Sequence, residues 1–71
     1  MERFPLVSTS LKSAGYDAGT KILEVEFVEG DAYRYLNVPR EVYEALLNAD
    51  SKGQFYVAEI RNNYEFEKIN S

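Results

Sequence analysis

From Lys21 to Val28 apolar and acidic positions alternate, with Leu23, Val25 and Phe27 on one side and Glu24 and Glu26 on the other. Successive side chains of a strand point to opposite faces, so this pattern predicts a half-buried strand with its glutamates toward water. Glu29-Gly30-Asp31 reads as a short polar loop, and Tyr33-Arg34-Tyr35 resumes the alternation, which together predict a hairpin. If those three residues form the loop, Val28 opposes Ala32, Phe27 opposes Tyr33, Val25 opposes Tyr35, and Glu26 meets Arg34 on the outer face. A two-residue loop sets Tyr33 and Tyr35 beside Glu24 and Glu26 instead. The first register is preferred because it yields an opposite-charge pair and one continuous apolar face.

Upstream, Val7 to Asp17 predicts a first strand, followed by the turn-rich Asp17-Ala18-Gly19-Thr20. Downstream, Val38 closes the second hairpin strand, and Pro39 suits the first turn of a helix running to about Ala49. Val42, Tyr43, Leu46 and Ala49 lie largely opposite the polar Arg40, Glu41, Glu44 and Asn48, so this helix packs by one face. Ser51 and Gln54 have the spacing of a capping box at the start of a second, shorter helix. Its apolar residues wrap most of the wheel, which predicts a position wedged between the first helix and the sheet edge. Asn62-Asn63 turns the chain, and Tyr64 to Lys68 alternates again as a last strand. The expected fold is α+β in the order βββααβ, a mostly antiparallel sheet with both helices packed on one face.

Length and composition narrow this picture. The 71 residues leave room for one core, and 45% hydrophobic with 28% charged residues is the balance of a folding domain. The chain divides into an N-terminal extension at 1–6, a domain at 7–69 and a C-terminal tail at 70–71. Cysteine and histidine are both absent. Disulfides, Cys/His zinc sites, thiol nucleophiles and imidazole acid–base catalysis are therefore excluded within one chain. A net charge of −4 works against tight nonspecific binding to a phosphate backbone. The first residues lack a secretory signal pattern and no apolar run approaches a membrane span, so a soluble, cytoplasmic protein is expected.

In order and spacing, Ser8-Thr9-Ser10, Gly15-Tyr16-Asp17, Leu23-x-Val25-x-Phe27, Gly30, Tyr33-x-Tyr35, Val38-Pro39, Val42-Tyr43, Ala49-x-Ser51-x-Gly53, Phe55, Ile60-Arg61 and Tyr64 together resemble the KTSC domain. That family takes its name from its occurrence at the C-terminus of some lysyl-tRNA synthetases and also contains stand-alone short proteins. The resemblance spans nearly the whole chain and implies RNA binding as one candidate role, without a mechanism. Where the family pattern leads one to expect a polar Asn after the Phe-aromatic pair, this chain has Val57.

Few residues carry candidate chemistry. Tyr33 and Tyr35 point the same way and offer rings for stacking bases if their face is open; packed beneath the helices they are core. The preferred register, which aligns them with Phe27 and Val25, favours core. Arg61 with Tyr64 forms a candidate corner for an anion or a ring, or else Arg61 ties the second helix to the sheet or caps its carbonyls. Ser51-Lys52-Gly53 sits at a helix start that attracts anions, but it lacks the glycine spacing of a nucleotide loop, and Asp50 opposes phosphate, so plain capping is preferred. Glu24, Glu26, Glu65 and Glu67 read as solvated outer faces rather than as a Mg²⁺ or Ca²⁺ site. The eight basic residues are scattered and form no stripe.

No catalytic, cofactor-binding or metal-binding residue is assigned. The expectation is a non-enzymatic binding module, taking a protein or RNA partner through Tyr33, Tyr35, Arg61, Tyr64, Ser51 and Gly53. RNA recognition by stacking at Tyr33 and Tyr35 is the first alternative. The second is a structural protein that self-associates through a sheet edge, so the expected state is a monomer or weak homodimer.

Overall fold

The structure, a computed structural model, describes residues 2–69, so the expected tail at 70–71 lies outside the described residues. Five antiparallel strands form one sheet in the order of the chain: β1 (Phe4–Pro5), β2 (Leu11–Asp17), β3 (Ile22–Phe27), β4 (Ala32–Tyr35) and β5 (Phe66–Ile69). Between β4 and β5 the chain forms α1 (Arg40–Asn48) and α2 (Lys52–Phe55), and α2 runs directly into a π-helical turn at Tyr56–Ile60. The architecture is the expected α+β arrangement with the helices on one sheet face. Leu11, Ala14, Leu23, Val25 and Tyr35 from the strands meet Val38, Leu46, Tyr56 and Ile60 in the buried core.

The β3–β4 hairpin differs from expectation by two residues of pairing. Val25 lies opposite Tyr33, Leu23 opposite Tyr35, and Glu24 rather than Glu26 opposite Arg34. The loop does have three residues, but they are Val28-Glu29-Gly30. Phe27 N donates to Asp31 O at 2.8 Å and Gly30 N donates to Phe27 O at 3.0 Å. Gly30 closes the turn at φ +114°, a conformation that side chains with a Cβ rarely adopt. Because the pleat repeats every two residues, a two-residue shift leaves both tyrosines on the core side. Val28 leaves the apolar face and sits exposed at the loop.

The second helix is less regular than expected. Gln54 N donates to Ser51 Oγ at 3.4 Å, which supplies the backbone half of the capping box. After one α turn the pattern widens, and Arg61 N donates to Tyr56 O at 2.9 Å, five residues back. Asn63 Nδ2 closes the end, donating to Glu59 O at 2.7 Å.

Residues 1–6 were expected to be an extension, yet Phe4 and Pro5 pair with Ala14 and Ser13 as edge strand β1. Alternation does not reveal a two-residue strand. Arg3 then lies against the outer sheet face, where its Nε and Nη2 both approach Glu24 Oε1 at 3.0 Å. Arg34 Nη2 reaches Glu24 Oε2 at 3.4 Å, and Arg34 Nη1 reaches Glu67 Oε1 at 3.4 Å. Ser13 Oγ donates to Glu26 Oε1 at 2.9 Å. Glu24, expected to be solvated, is therefore only 8% exposed beneath two guanidiniums.

Gly15 makes this path possible, since a Cβ there would stand 2.2 Å from the Glu2 carbonyl oxygen. Gly15→Ala is expected to lift the N-terminal segment and cost about 1–3 kcal/mol, the usual penalty of overpacking. Urea unfolding measures it, and an unchanged midpoint would show that β1 and the Arg3 contact contribute nothing.

Candidate functional site: an aromatic cleft between sheet and π-helical turn

The helices cover the sheet unevenly. Beneath α1, Tyr16 stacks on Tyr43 with centroids 5.3 Å apart and planes 15° apart, and Tyr16 Oη donates to Val38 O at 2.5 Å. Burial raises the pKa of both phenols, helped for Tyr16 by nearby Glu41. That end is closed. At the β4–β5 end the second helix stands off the sheet and leaves a cleft of about 520 Å³. Phe27, Tyr33, Tyr35 and Phe66 supply the sheet side, and Tyr56, Val57, Arg61 and Asn62 supply the helical side. Ser10, Glu29 and Gly53 complete the lining.

The rings form one connected cluster. Phe27 meets Tyr33 and Tyr56 edge-on at 5.8 and 5.2 Å, and Phe66 meets Tyr33 edge-on at 5.7 Å. Such edge contacts use the positive rim of one ring against the negative face of another. Tyr35 lies deepest, 2% exposed, and its hydroxyl is hydrogen-bonded to that of Tyr56. Tyr33 is only half-buried. Burial chiefly, then the bond to Tyr56, raises the Tyr35 pKa well above the ordinary phenol value, while the positive charge of Arg61 acts in the opposite sense.

The two tyrosines of the central motif thus have different positions. Tyr35 is core and presents no open face for stacking a base, whereas Tyr33 lines the cleft. Arg61 lines it too, and its side chain forms no ion pair or hydrogen bond among the described residues. The carbonyl capping considered for Arg61 falls to Asn63. Tyr64 packs against the core and does not line the cleft, so the expected Arg61–Tyr64 corner is not a shared wall.

Ser51 also lies elsewhere, in a separate cleft with Val7, Ser8, Thr9, Asp50 and Lys52. Lys52 Nζ there donates to Ala49 O at 3.0 Å, and Ser51 Oγ accepts from Gln54, so both act as caps. Gly53 borders both clefts beneath Ser10, whose Oγ would stand 2.7 Å from an added Cβ.

Sequence reasoning missed Phe27, Tyr56, Val57 and Phe66 as lining residues. Phe27 and Phe66 were open to discovery, because each shares strand alternation with the tyrosine face. Tyr56 and Val57 were not, since their alignment with Arg61 depends on a five-residue helical repeat that a 3.6-residue wheel does not produce. Among the described residues no three or more acidic side chains converge as metal ligands, and no helix is long and apolar enough to cross a membrane.

Comparison with known proteins agrees with this fold. The model of the KTSC domain family matches residues 7–64. An uncharacterized protein of Stutzerimonas stutzeri is 55% identical over 56 residues, covering 79% of each chain. A lysine–tRNA ligase of Nostoc punctiforme is 38% identical over 69 residues; the match takes in 93% of this chain but spans only 12% of the ligase. The crystal structure of a KTSC domain protein from Yersinia pestis superposes with a TM-score of 0.92 at 34% identity, covering 97% of both chains.

The different burial of the two tyrosines has a direct consequence. Tyr35→Ala is expected to cost about 3–5 kcal/mol, the range for emptying a buried aromatic site, and to leave most of the protein unfolded. Tyr33→Ala is expected to keep the native near-ultraviolet circular dichroism; unfolding of both variants alike would make Tyr33 core as well. The raised Tyr35 pKa also sets a pH dependence. Its neutral form is favoured by folding, so that stabilisation is complete below the ordinary value of 10.0 and is lost as pH rises beyond it. Thermal melts at pH 9 and 11 are expected to show a smaller alkaline drop in Tyr35→Phe/Tyr56→Phe than in the unaltered chain. Equal drops would assign alkaline unfolding to other groups.

Proposed function

Starting from the fact that the chain belongs to the KTSC domain family, we propose that it is a non-catalytic binding module that receives a flat or apolar group of a protein or RNA partner in the aromatic cleft. One observation carries this reading: a ring-lined cleft open to solvent also contains Arg61, a cation with no ion pair or hydrogen bond among the described residues. Folding alone does not account for that pairing, because a guanidinium beside exposed rings stabilises little until a ligand excludes water from it. The module acts in the cytoplasm, where a core without cysteine needs no oxidising compartment. It works as a monomer or as a weak homodimer through the free edge of β5.

The occurrence of this domain as 12% of a lysine–tRNA ligase favours single-stranded RNA as a second reading. Here one half-buried ring, Tyr33, would stack a base, in place of the Tyr33 and Tyr35 platform. The net charge of −4 limits any such contact to a few phosphates.

Titration of isotope-labelled protein with indole, as a ring probe, and with oligouridylate tests both readings. Indole is expected to shift resonances of Tyr33, Val57 and Phe66 while leaving those of Tyr16 and Tyr43 in place. Tyr33→Ala is expected to weaken the effect by about tenfold, in line with stacking worth about 1–3 kcal/mol per ring. If neither probe moves the cleft, the proposal fails; if only indole does, the RNA reading fails.

A further inference from the structure

The geometry points to an oxyanion subsite inside the cleft, made of Arg61 and the Tyr35–Tyr56 hydroxyl pair, that takes a single carboxylate of a ring-bearing ligand. The inference rests on the aromatic cleft being a binding site and names the chemistry of what binds there.

The first observation is a count of protons. Tyr35 and Tyr56 each carry one hydroxyl proton, and their mutual bond uses one of the two, whichever residue donates. Neither hydroxyl donates to any other group among the described residues, so one proton of the pair has no protein acceptor. Both residues are more than nine-tenths buried, and both line the cleft. The pair satisfies each oxygen once and leaves that proton for an acceptor on the cleft side, water or a ligand oxygen.

The second observation is Arg61, which lines the same cleft and forms no ion pair or hydrogen bond among the described residues. The bond from Arg61 N to Tyr56 O sets the two residues one wide helical turn apart. A planar guanidinium matches a carboxylate in two-point geometry, and the phenol proton adds a third donor. Oxygen acceptors of a bound anion complete the proton count that the protein leaves open.

Charge limits the anion to a single negative group. Glu29 lines the same cleft, Arg61 is the one basic residue in the lining, and the chain as a whole carries −4. A phosphate monoester, with a charge of about −1.5 to −2 at neutral pH, meets more repulsion there than a carboxylate does. The rings of Tyr33, Phe27 and Phe66 beside this corner would hold a flat side chain next to that carboxylate.

Three probes test the assignment by chemical-shift titration of the full chain: N-acetyl-phenylalanine, its uncharged amide N-acetyl-phenylalaninamide, and phenyl phosphate. The acid is expected to bind about tenfold more tightly than the amide, the gain of a charge-assisted contact of about 1.4 kcal/mol, and to move the Arg61 side-chain signals. Arg61→Gln removes no ion pair or hydrogen bond among the described residues and is expected to bring the acid-to-amide ratio close to one. Tyr35→Phe/Tyr56→Phe deletes both hydroxyls without leaving one unpaired, so it is expected to fold and to lower the ratio.

Equal binding of acid and amide would overturn the subsite while leaving the ring cleft standing. Tighter binding of phenyl phosphate than of the acid would overturn the assignment to a carboxylate. If neither phenylalanine derivative moves the cleft although indole does, the subsite falls alone; if indole also fails, the cleft falls with it.

Discussion

The pairing of β3 with β4 is the constraint on which the rest of the structure depends. It sets Leu23, Val25, Tyr33 and Tyr35 toward the helices and Glu24 and Arg34 toward the opposite side. A slip of one residue would turn one strand over relative to the other, sending either Glu24 and Glu26 or Arg34 to the core side. The turn at Val28-Glu29-Gly30 holds the register, with Gly30 in a conformation that a Cβ would strain. Both the apolar interior and the outer charge network follow from that parity.

On the inner side, Tyr35 reaches through the core to the Tyr56 hydroxyl and so ties the sheet to the second helix. The π-helical turn begins at that residue. Its wider repeat brings Tyr56, Val57, Arg61 and Asn62 to one wall, facing the rings of β4 and β5. The cleft therefore exists because the second helix changes pitch where it meets the sheet. At Val57, where the family pattern leads one to expect Asn, the wall is apolar, which suits a ring-bearing ligand better than a polar one.

On the outer side, the N-terminal segment turns a row of acidic side chains into a partly buried network. Glu24 accepts from Arg3 and Arg34, and Arg34 continues to Glu67, so strands β3, β4 and β5 are linked through one guanidinium. Desolvating Glu24 is tolerable because two cations offset it. This network engages Glu24, Glu26 and Glu67, three of the four glutamates that alternation alone would leave in water.

By itself the sequence determined the elements whose signal is local. Leu23-x-Val25-x-Phe27 and Tyr33-x-Tyr35 carry the strand period, Pro39 and the Ser51–Gln54 spacing carry the helix starts, and the tyrosines' side of the sheet follows from parity. Tertiary structure alone decided the two-residue edge strand at Phe4–Pro5, the wide turn at Tyr56 and the unequal burial of Tyr33 and Tyr35. The physical reason is the range of the forces involved. A pleat or a cap is set by neighbours a few residues apart, whereas β1 depends on Gly15 lying beneath Glu2, and the cleft depends on where a helix stands relative to a strand ten or more residues away. Arg61 shows the same division: its presence was legible in the chain, and its lack of an ion pair or hydrogen bond among the described residues became visible only in the folded structure.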